Sequence, residues 1–212
     1  MYTKKNIKKI VVDELENTKF PKCKTRTNVA GKKTVLAFAL GSVNYRGQKF
    51  LGGRTRGPSR FNRKFPTLLT KLRKMMRLWH PEFKYTTIQV NKNFSSKPHV
   101  DKNNMGPSYG IAMGDFTGGD LYIEGKKHNI KNKLLKFDGT LGHWVSPYKG
   151  TRYSLIFFTH TFKPPNARTR FLKVTKKGLY NKNKLIKTYT STGCIEYDTE
   201  SDSEYTSDSD SD

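Results

Sequence analysis

Two histidines, one carboxylate, an arginine and a serine have the spacing that could do chemistry here: His99-Val100-Asp101, then His143, then Arg152-Tyr153-Ser154. Two imidazoles and a carboxylate form the facial ligand set of a non-haem iron, which leaves coordination positions open for substrate and oxygen. An arginine downstream, with a hydroxyl two residues on, offers a guanidinium fork and a third hydrogen bond to a carboxylate. Together they imply an oxygenase that uses Fe(II), O2 and 2-oxoglutarate. On a strand, residues i and i+2 share a face. His99 and Asp101 would then meet one metal from one side, with Val100 behind. His143 must come from another strand, and Gly139 and Gly142 allow a tight turn just before it. The alternation also puts Arg152, Ser154, Ile156, Phe158 and His160 on one pocket-lining face, with Tyr153, Leu155 and Phe157 on the other. His80 reads as a helix end and His128 as a surface-loop residue.

The rest of the chain must position this set. At 212 residues it is long enough for one domain with a real core. Residues 7–13 and 34–43 are rich in Val, Ile and Leu and predict strands. Residues 44–64, dense in Gly and Arg, predict an exposed basic loop that is either a linker or a backbone-phosphate contact. Pro66 to Trp79 predicts a helix: Pro66 suits its first turn, and Leu68, Leu69, Leu72, Met75, Met76 and Trp79 recur at helical spacing. Pro81 ends it. Short strands follow at 85–91, 99–101, 109–115, 120–124, 134–137, 143–146 and 152–159, separated by Gly, Pro, Asn and Asp. Many short strands with regular turns predict a sandwich or barrel. Pro164-Pro165 breaks the chain, and Phe171 to Val174 is one further strand candidate.

Charge is unevenly distributed. The chain carries 41 Lys and Arg against 17 Asp and Glu, a net of +24. Eight of those acids lie in residues 196–212, so residues 1–195 carry +32. Such a surface attracts polyanions, nucleic acid above all; the plain alternative is drift towards lysine. Residues 196–212 are Ser/Asp low complexity, too polar to bury enough surface to order, and read as a disordered acidic tail beside one domain at 1–195. Two cysteines, Cys23 and Cys194, give no zinc-ligand spacing and fit a reducing, intracellular compartment. No stretch approaches the ~20 apolar residues of a membrane span.

From Asn91 to His160 the chain resembles the TET/JBP group of 2-oxoglutarate oxygenases, which oxidise the methyl group of 5-methylcytosine or thymine in nucleic acid. His99-Val100-Asp101-Lys102-Asn103-Asn104 is similar to that family's H-x-D-x-x-N. His143-Trp144-Val145-Ser146-Pro147 and the run from Thr151 through Arg152, Ser154 and Phe158 to His160 are similar to its H-x-T-x-P and T-R-I-S-L-V-F-Y-Q-H segments. The resemblance implies a mainly β double-stranded β-helix, a jelly-roll cup supported by the 66–79 helix. It implies iron on His99, Asp101 and His143, and 2-oxoglutarate on Arg152 and Ser154, with Asn91 in the same co-substrate set. It implies that Asn104 and His160 hydrogen-bond a flipped base on which Phe158 stacks. The chain departs in having Phe158 where the family has Tyr, in lacking a Cys-rich zinc segment, and in lacking a separate DNA-reading domain.

The reading is thus a dioxygenase acting on a modified pyrimidine in nucleic acid, DNA favoured, in a DNA-containing compartment such as the nucleus. The alternatives are a prolyl or lysyl protein hydroxylase with the same triad, and a non-enzymatic nucleic-acid-binding protein.

Overall fold

The computed structural model describes residues 2–31, 33–45, 55–160, 172–181 and 184–196. In chain order the elements are α1 (Ile7–Asn17), β1 (Lys22–Cys23), α2 (Thr27–Ala30), β2 (Val35–Tyr45), β3 (Thr55–Pro58), α3 (Phe61–Lys64), α4 (Pro66–Trp79), β4 (Thr87–Lys92) and β5 (Ser108–Met113). There follow β6 (Phe116–Gly118), β7 (Leu121–Ile123), β8 (Lys126–His128), β9 (Leu135–Phe137), β10 (His143–Val145), β11 (Tyr148–Gly150) and β12 (Tyr153–Phe158). The last four strands are β13 (Leu172–Val174), β14 (Gly178–Asn181), β15 (Lys184–Tyr189) and β16 (Cys194–Glu196).

Two antiparallel sheets make the cup. The larger runs β1-β2-β4-β12-β5-β9, with β3 beside β2; the smaller runs β10-β7-β8, and His99 adds a bridge to His143 on its β10 side. From β4 onward the chain alternates between them: β4 large, His99 small, β5 large, β7 and β8 small, β9 large, β10 small, β12 large. That winding is the predicted double-stranded β-helix. Alternation along β12 then divides two environments. Tyr153, Leu155 and Phe157 enter a core with Ile7, Val11 and Leu15 of α1 and Leu68, Leu72, Met75 and Met76 of α4. Each fully buried Leu or Met contributes about 1.5–3 kcal/mol, so the two helices clamp the outer face of the large sheet. Glu14 and Lys71, 2.6 Å apart, tie α1 to α4.

The helix at 66–79 is where the sequence predicts it. The strand predicted at 7–13 is instead part of α1. Ile7, Val11 and Leu15 recur every fourth residue and are fully buried, and this helical period outweighs the β-branched Ile10-Val11-Val12 run. Of the predicted basic loop, residues 46–54 lie outside the described residues. Thr55–Pro58 pairs with β2 and Phe61–Lys64 is a helical turn, so this part is ordered structure. Pro164-Pro165 and residues 197–212 also lie outside the described residues. His128 sits in β8, paired with Leu121, not in a loop. His80 caps α4 and lies against Tyr109, ring centroids 4.7 Å apart. Among the described residues, no helix is long and apolar enough to cross a membrane.

The strand predicted at 171–174 is β13 over Leu172–Val174, the first of four. β13 to β16 form a meander whose Leu179 and Tyr189 pack on Val100 and Trp144, on the far side of the small sheet from the cup. Lys187 bonds both Glu124 (3.1 Å) and Glu196 (2.6 Å), pinning the meander to the β7–β8 turn. Gly142 lies directly under the Tyr189 ring, and a Cβ there would overlap the phenol oxygen and ring. The backbone of Gly139 and Gly142 is not left-handed. Their need for glycine is therefore close approach, not the predicted tight turn; a Cβ on Gly139 would stand 2.8 Å from Asn104 Nδ2. The Tyr189 hydroxyl is buried without a hydrogen-bond partner. Tyr189→Phe is accordingly expected to leave the melting temperature unchanged or higher, whereas Gly142→Ala should destabilise by about 1–3 kcal/mol. Thermal melts of the two variants check both, and a Gly142→Ala chain as stable as the parent removes this docking contact.

Candidate active site

His99 and His143 are direct cross-strand partners. Each backbone N–H donates to the other's carbonyl, at 3.0 and 2.9 Å, and the rings lie 4.2 Å apart. Asp101, two residues on, is held by its N–H on the Gly139 carbonyl at 2.8 Å. Its carboxylate reaches both rings: Oδ1 is 3.7 Å from His99 Nε2 and Oδ2 is 3.8 Å from His143 Nε2. All three donor atoms lie within 4.8 Å of one another. The opposite ring nitrogens are engaged, His99 Nδ1 on the Lys97 carbonyl at 2.7 Å and His143 Nδ1 on the Leu141 carbonyl at 2.8 Å. An Nδ1–H bonded to a carbonyl fixes the tautomer and presents the Nε2 lone pair to a metal. Burial, then the neighbouring His143, lower the His99 pKa to about 4, against the pull of Asp101. The imidazole is therefore neutral at pH 7, the form that binds a metal. The residue types fit Fe(II).

The cup, about 400 Å³, is lined by the triad together with Arg152, Ser154, Ile156, Phe158 and His160, the β12 face predicted from alternation. Arg152 is 1% exposed. Its Nη2 donates to the Gly119 carbonyl at 3.1 Å, while Nε and Nη1 have no hydrogen-bond partner. The rings of Phe116 and Tyr148 lie 5.5 and 5.8 Å from the guanidinium. Burial lowers its pKa to about 10, partly offset by Tyr148 and Asp120. Buried polar groups are nearly always satisfied, so a buried cation with two idle donors is shaped for an anion. Gly119 permits the arrangement: at φ +72° it passes so close that a Cβ would stand 2.8 Å from Arg152 Nε.

Asn91 faces Ser154 across β4 and β12 and donates to its hydroxyl at 3.1 Å. The Asn91 carbonyl oxygen accepts from Arg26 Nη1 at 2.7 Å and from Gln89 Nε2 at 3.1 Å. Arg26 is a cup-lining residue that sequence reasoning missed. It enters the same cup from the segment before α2, over the Phe94 ring at 5.3 Å. Burial lowers its pKa while Asp101 raises it. A lone arginine in a lysine-rich stretch, 65 residues from its partner Asn91, gives no signal by spacing.

The three residues assigned to substrate gather at one end of the cup. Asn104 and His160 form a backbone bridge, and the Phe158 and His160 rings meet edge to face at 4.7 Å. Asn104 also donates its amide to Asp101 Oδ2 at 3.2 Å, so it orients a metal donor as well as facing the cup.

The winding and this donor set define a jelly-roll cup with a His-Asp-His group that could hold a metal ion and a buried guanidinium with two idle donors. Solved structures similar to the chain include the following two. One is NgTET1 in complex with 5mC DNA, at 16% identity and TM-score 0.45, covering 73% of this chain and 69% of that one. The other is an oxidoreductase of the 2OG-Fe(II) oxygenase family from Burkholderia pseudomallei, at 17% identity and TM-score 0.43, covering 69% and 76%. No protein-family profile and no curated protein matches the chain.

Proposed function

We propose that residues 1–195 form an Fe(II)- and 2-oxoglutarate-dependent dioxygenase that oxidises the methyl group of a modified pyrimidine in nucleic acid, 5-methylcytosine in preference to thymine. The observation that carries the reading is the idle guanidinium of Arg152 in the same cup as the triad. A dicarboxylate answers both needs. Arg152, beside Ser154, would hold one end, and the other would face His99, Asp101 and His143, where Arg26 adds a second cation. His99, Asp101 and His143 would hold the iron. Iron, with 2-oxoglutarate and oxygen, supplies oxidative decarboxylation of the co-substrate coupled to hydroxylation of a C–H bond; the protein positions that bond.

Support for a base as substrate comes from the cup's far end. A base reached by an enzyme leaves its stack and is read by hydrogen bonds and stacking. Asn104 and His160 offer the polar contacts and Phe158 the aromatic face. Phe158 stacks without donating, so recognition by hydrogen bonding falls to the other two. The +32 body of the chain supplies attraction for phosphate.

The test is incubation with Fe(II), 2-oxoglutarate and oligonucleotides carrying 5-methylcytosine or thymine, then digestion to nucleosides and mass spectrometry. 5-Hydroxymethylcytosine, with succinate in equal amount, is the expected product. Absence of both hydroxymethyl pyrimidines from DNA and RNA, while succinate forms with peptide pools, would sink the nucleic-acid reading and favour a protein hydroxylase.

A further inference from the structure

We propose that one nucleic-acid strand crosses the end of β12, its phosphates held in two cationic cavities, one under α4 on the outer face of the large sheet and one beside the cup, that approach each other at His160. This rests on the nucleic-acid reading above and adds where the strand lies.

The first cavity, about 300 Å³, is bounded by the C-terminal half of α4 and the segment entering β4. Arg73 and Arg77, one helical turn apart and both exposed, face it together with exposed Lys84, and among the described residues no acidic side chain lines it. Both guanidinium groups act electrostatically on Tyr85 in its wall. Arginines are suited to bidentate phosphate contacts. The second cavity, about 550 Å³, lies between residues 98–104 and β13 of the meander, with Lys102 and Lys173 on its walls. Among the described residues its one acidic lining residue is Asp101.

His160 joins them. It lines the cup and the second cavity. Its backbone N–H donates to Thr86 Oγ1 at 3.4 Å, and Thr86 lines the first cavity. The two cationic cavities and the aromatic end of the cup thus meet around one strand end. A chain with an anionic group at every unit and a flat pendant ring matches this order: phosphate, base in the cup, phosphate. Phosphate contacts fix the register of such a strand, and the base between them is the one free to turn inward. An acidic polypeptide would meet the same cations without using Phe158.

The test is fluorescence anisotropy of the full chain with a labelled single-stranded oligonucleotide carrying one 5-methylcytosine, titrated with salt. Two double variants reverse the cavities, Arg73→Glu with Arg77→Glu, and Lys102→Glu with Lys173→Glu. Lys4→Glu with Lys5→Glu makes the same charge change away from both. Each cavity variant is expected to bind about tenfold more weakly and to flatten the log–log salt slope by about 1.4, two contacts at about 0.7 each. The Lys4/Lys5 variant should keep the parent slope. Substrate-independent 2-oxoglutarate turnover checks that each variant retains a folded cup, and neutral Gln pairs replace any Glu pair that does not fold. The strand path is overturned if the control weakens binding as much as the cavity variants, if only one cavity matters, or if polyglutamate displaces the oligonucleotide as well as unlabelled DNA does. A parent chain that turns over 2-oxoglutarate yet binds no oligonucleotide instead defeats the nucleic-acid reading itself.

Discussion

Arg152→Met is expected to abolish the response to 2-oxoglutarate while leaving metal binding intact. In the folded chain the Arg152 guanidinium is buried, donates once to the Gly119 carbonyl and leaves Nε and Nη1 idle. Its depressed pKa, about 10, has desolvation as its largest cause. An isolated buried charge is destabilising by several kcal/mol, and the Phe116 and Tyr148 rings offset only part of that. Two opposite effects follow. Without co-substrate, the Met variant should melt no lower than the parent, because it removes a buried charge and keeps most of the volume. With 2-oxoglutarate the parent should gain stability in proportion to the logarithm of concentration, and the variant should gain none. Losing one partner of a buried, hydrogen-bonded charge pair costs about 2–5 kcal/mol, so KM for 2-oxoglutarate should rise roughly thirtyfold to several thousandfold. Arg152→Lys keeps the charge but not the fork, and should fall between. Scanning calorimetry with and without 2-oxoglutarate decides it: a full thermal shift in the Met variant would take Arg152 out of the co-substrate site.

What the sequence makes legible follows the range of the interactions. The face shared by Arg152, Ser154, Ile156, Phe158 and His160 is set by alternation within one strand, and all five line the cup. His99 and Asp101 are two apart, so their convergence is also local. That His143 lands opposite His99 depends on the pairing of distant segments, and only the order of the short strands hints at it. Arg26 depends on a fold that brings residues 26 and 91 together, and no local pattern encodes that. The error at α1 has a different source. Ile10, Val11 and Val12 carry strand propensity, but what decides is burial of Ile7, Val11 and Leu15 against α4, a tertiary effect that outweighs propensity. The meander is hidden for a related reason. Its strands are short and interrupted by Lys173, Lys184 and Lys187, and of their large side chains Leu179 and Tyr189 are the ones buried with Val100 and Trp144. The need for Gly142 becomes visible only once Tyr189 is seen above it.

Asp101→Ala should give the reverse pattern to Arg152→Met, and the crossing of the two separates the parts of the site. Among the described residues Asp101 is the only carboxylate lining the cup, which also holds Arg26, Arg152 and the imidazoles of His99, His143 and His160. Without it a divalent cation meets two nitrogen donors and two positive charges. Removing even a supporting partner of a metal ligand costs tenfold to a hundredfold in affinity, so loss of a donor that is also the sole anion should exceed about a hundredfold. The change should also release Asn104, whose amide donates to Asp101 Oδ2. A carboxylate ligand faces the opposite situation. The cations that would hold 2-oxoglutarate remain, and the one negative charge that opposed it is gone. The Asp101→Ala chain should therefore bind no Fe(II) in equilibrium dialysis, yet keep the metal-independent part of the thermal shift given by 2-oxoglutarate. At 2-oxoglutarate concentrations that saturate the parent, turnover should be lost in both variants, each for want of a different component. If Asp101→Ala retained Fe(II) at parental affinity, the three donors that lie within 4.8 Å of one another would not be the metal site. If it lost the 2-oxoglutarate shift as well, the anion site would depend on the metal and not on Arg152 alone.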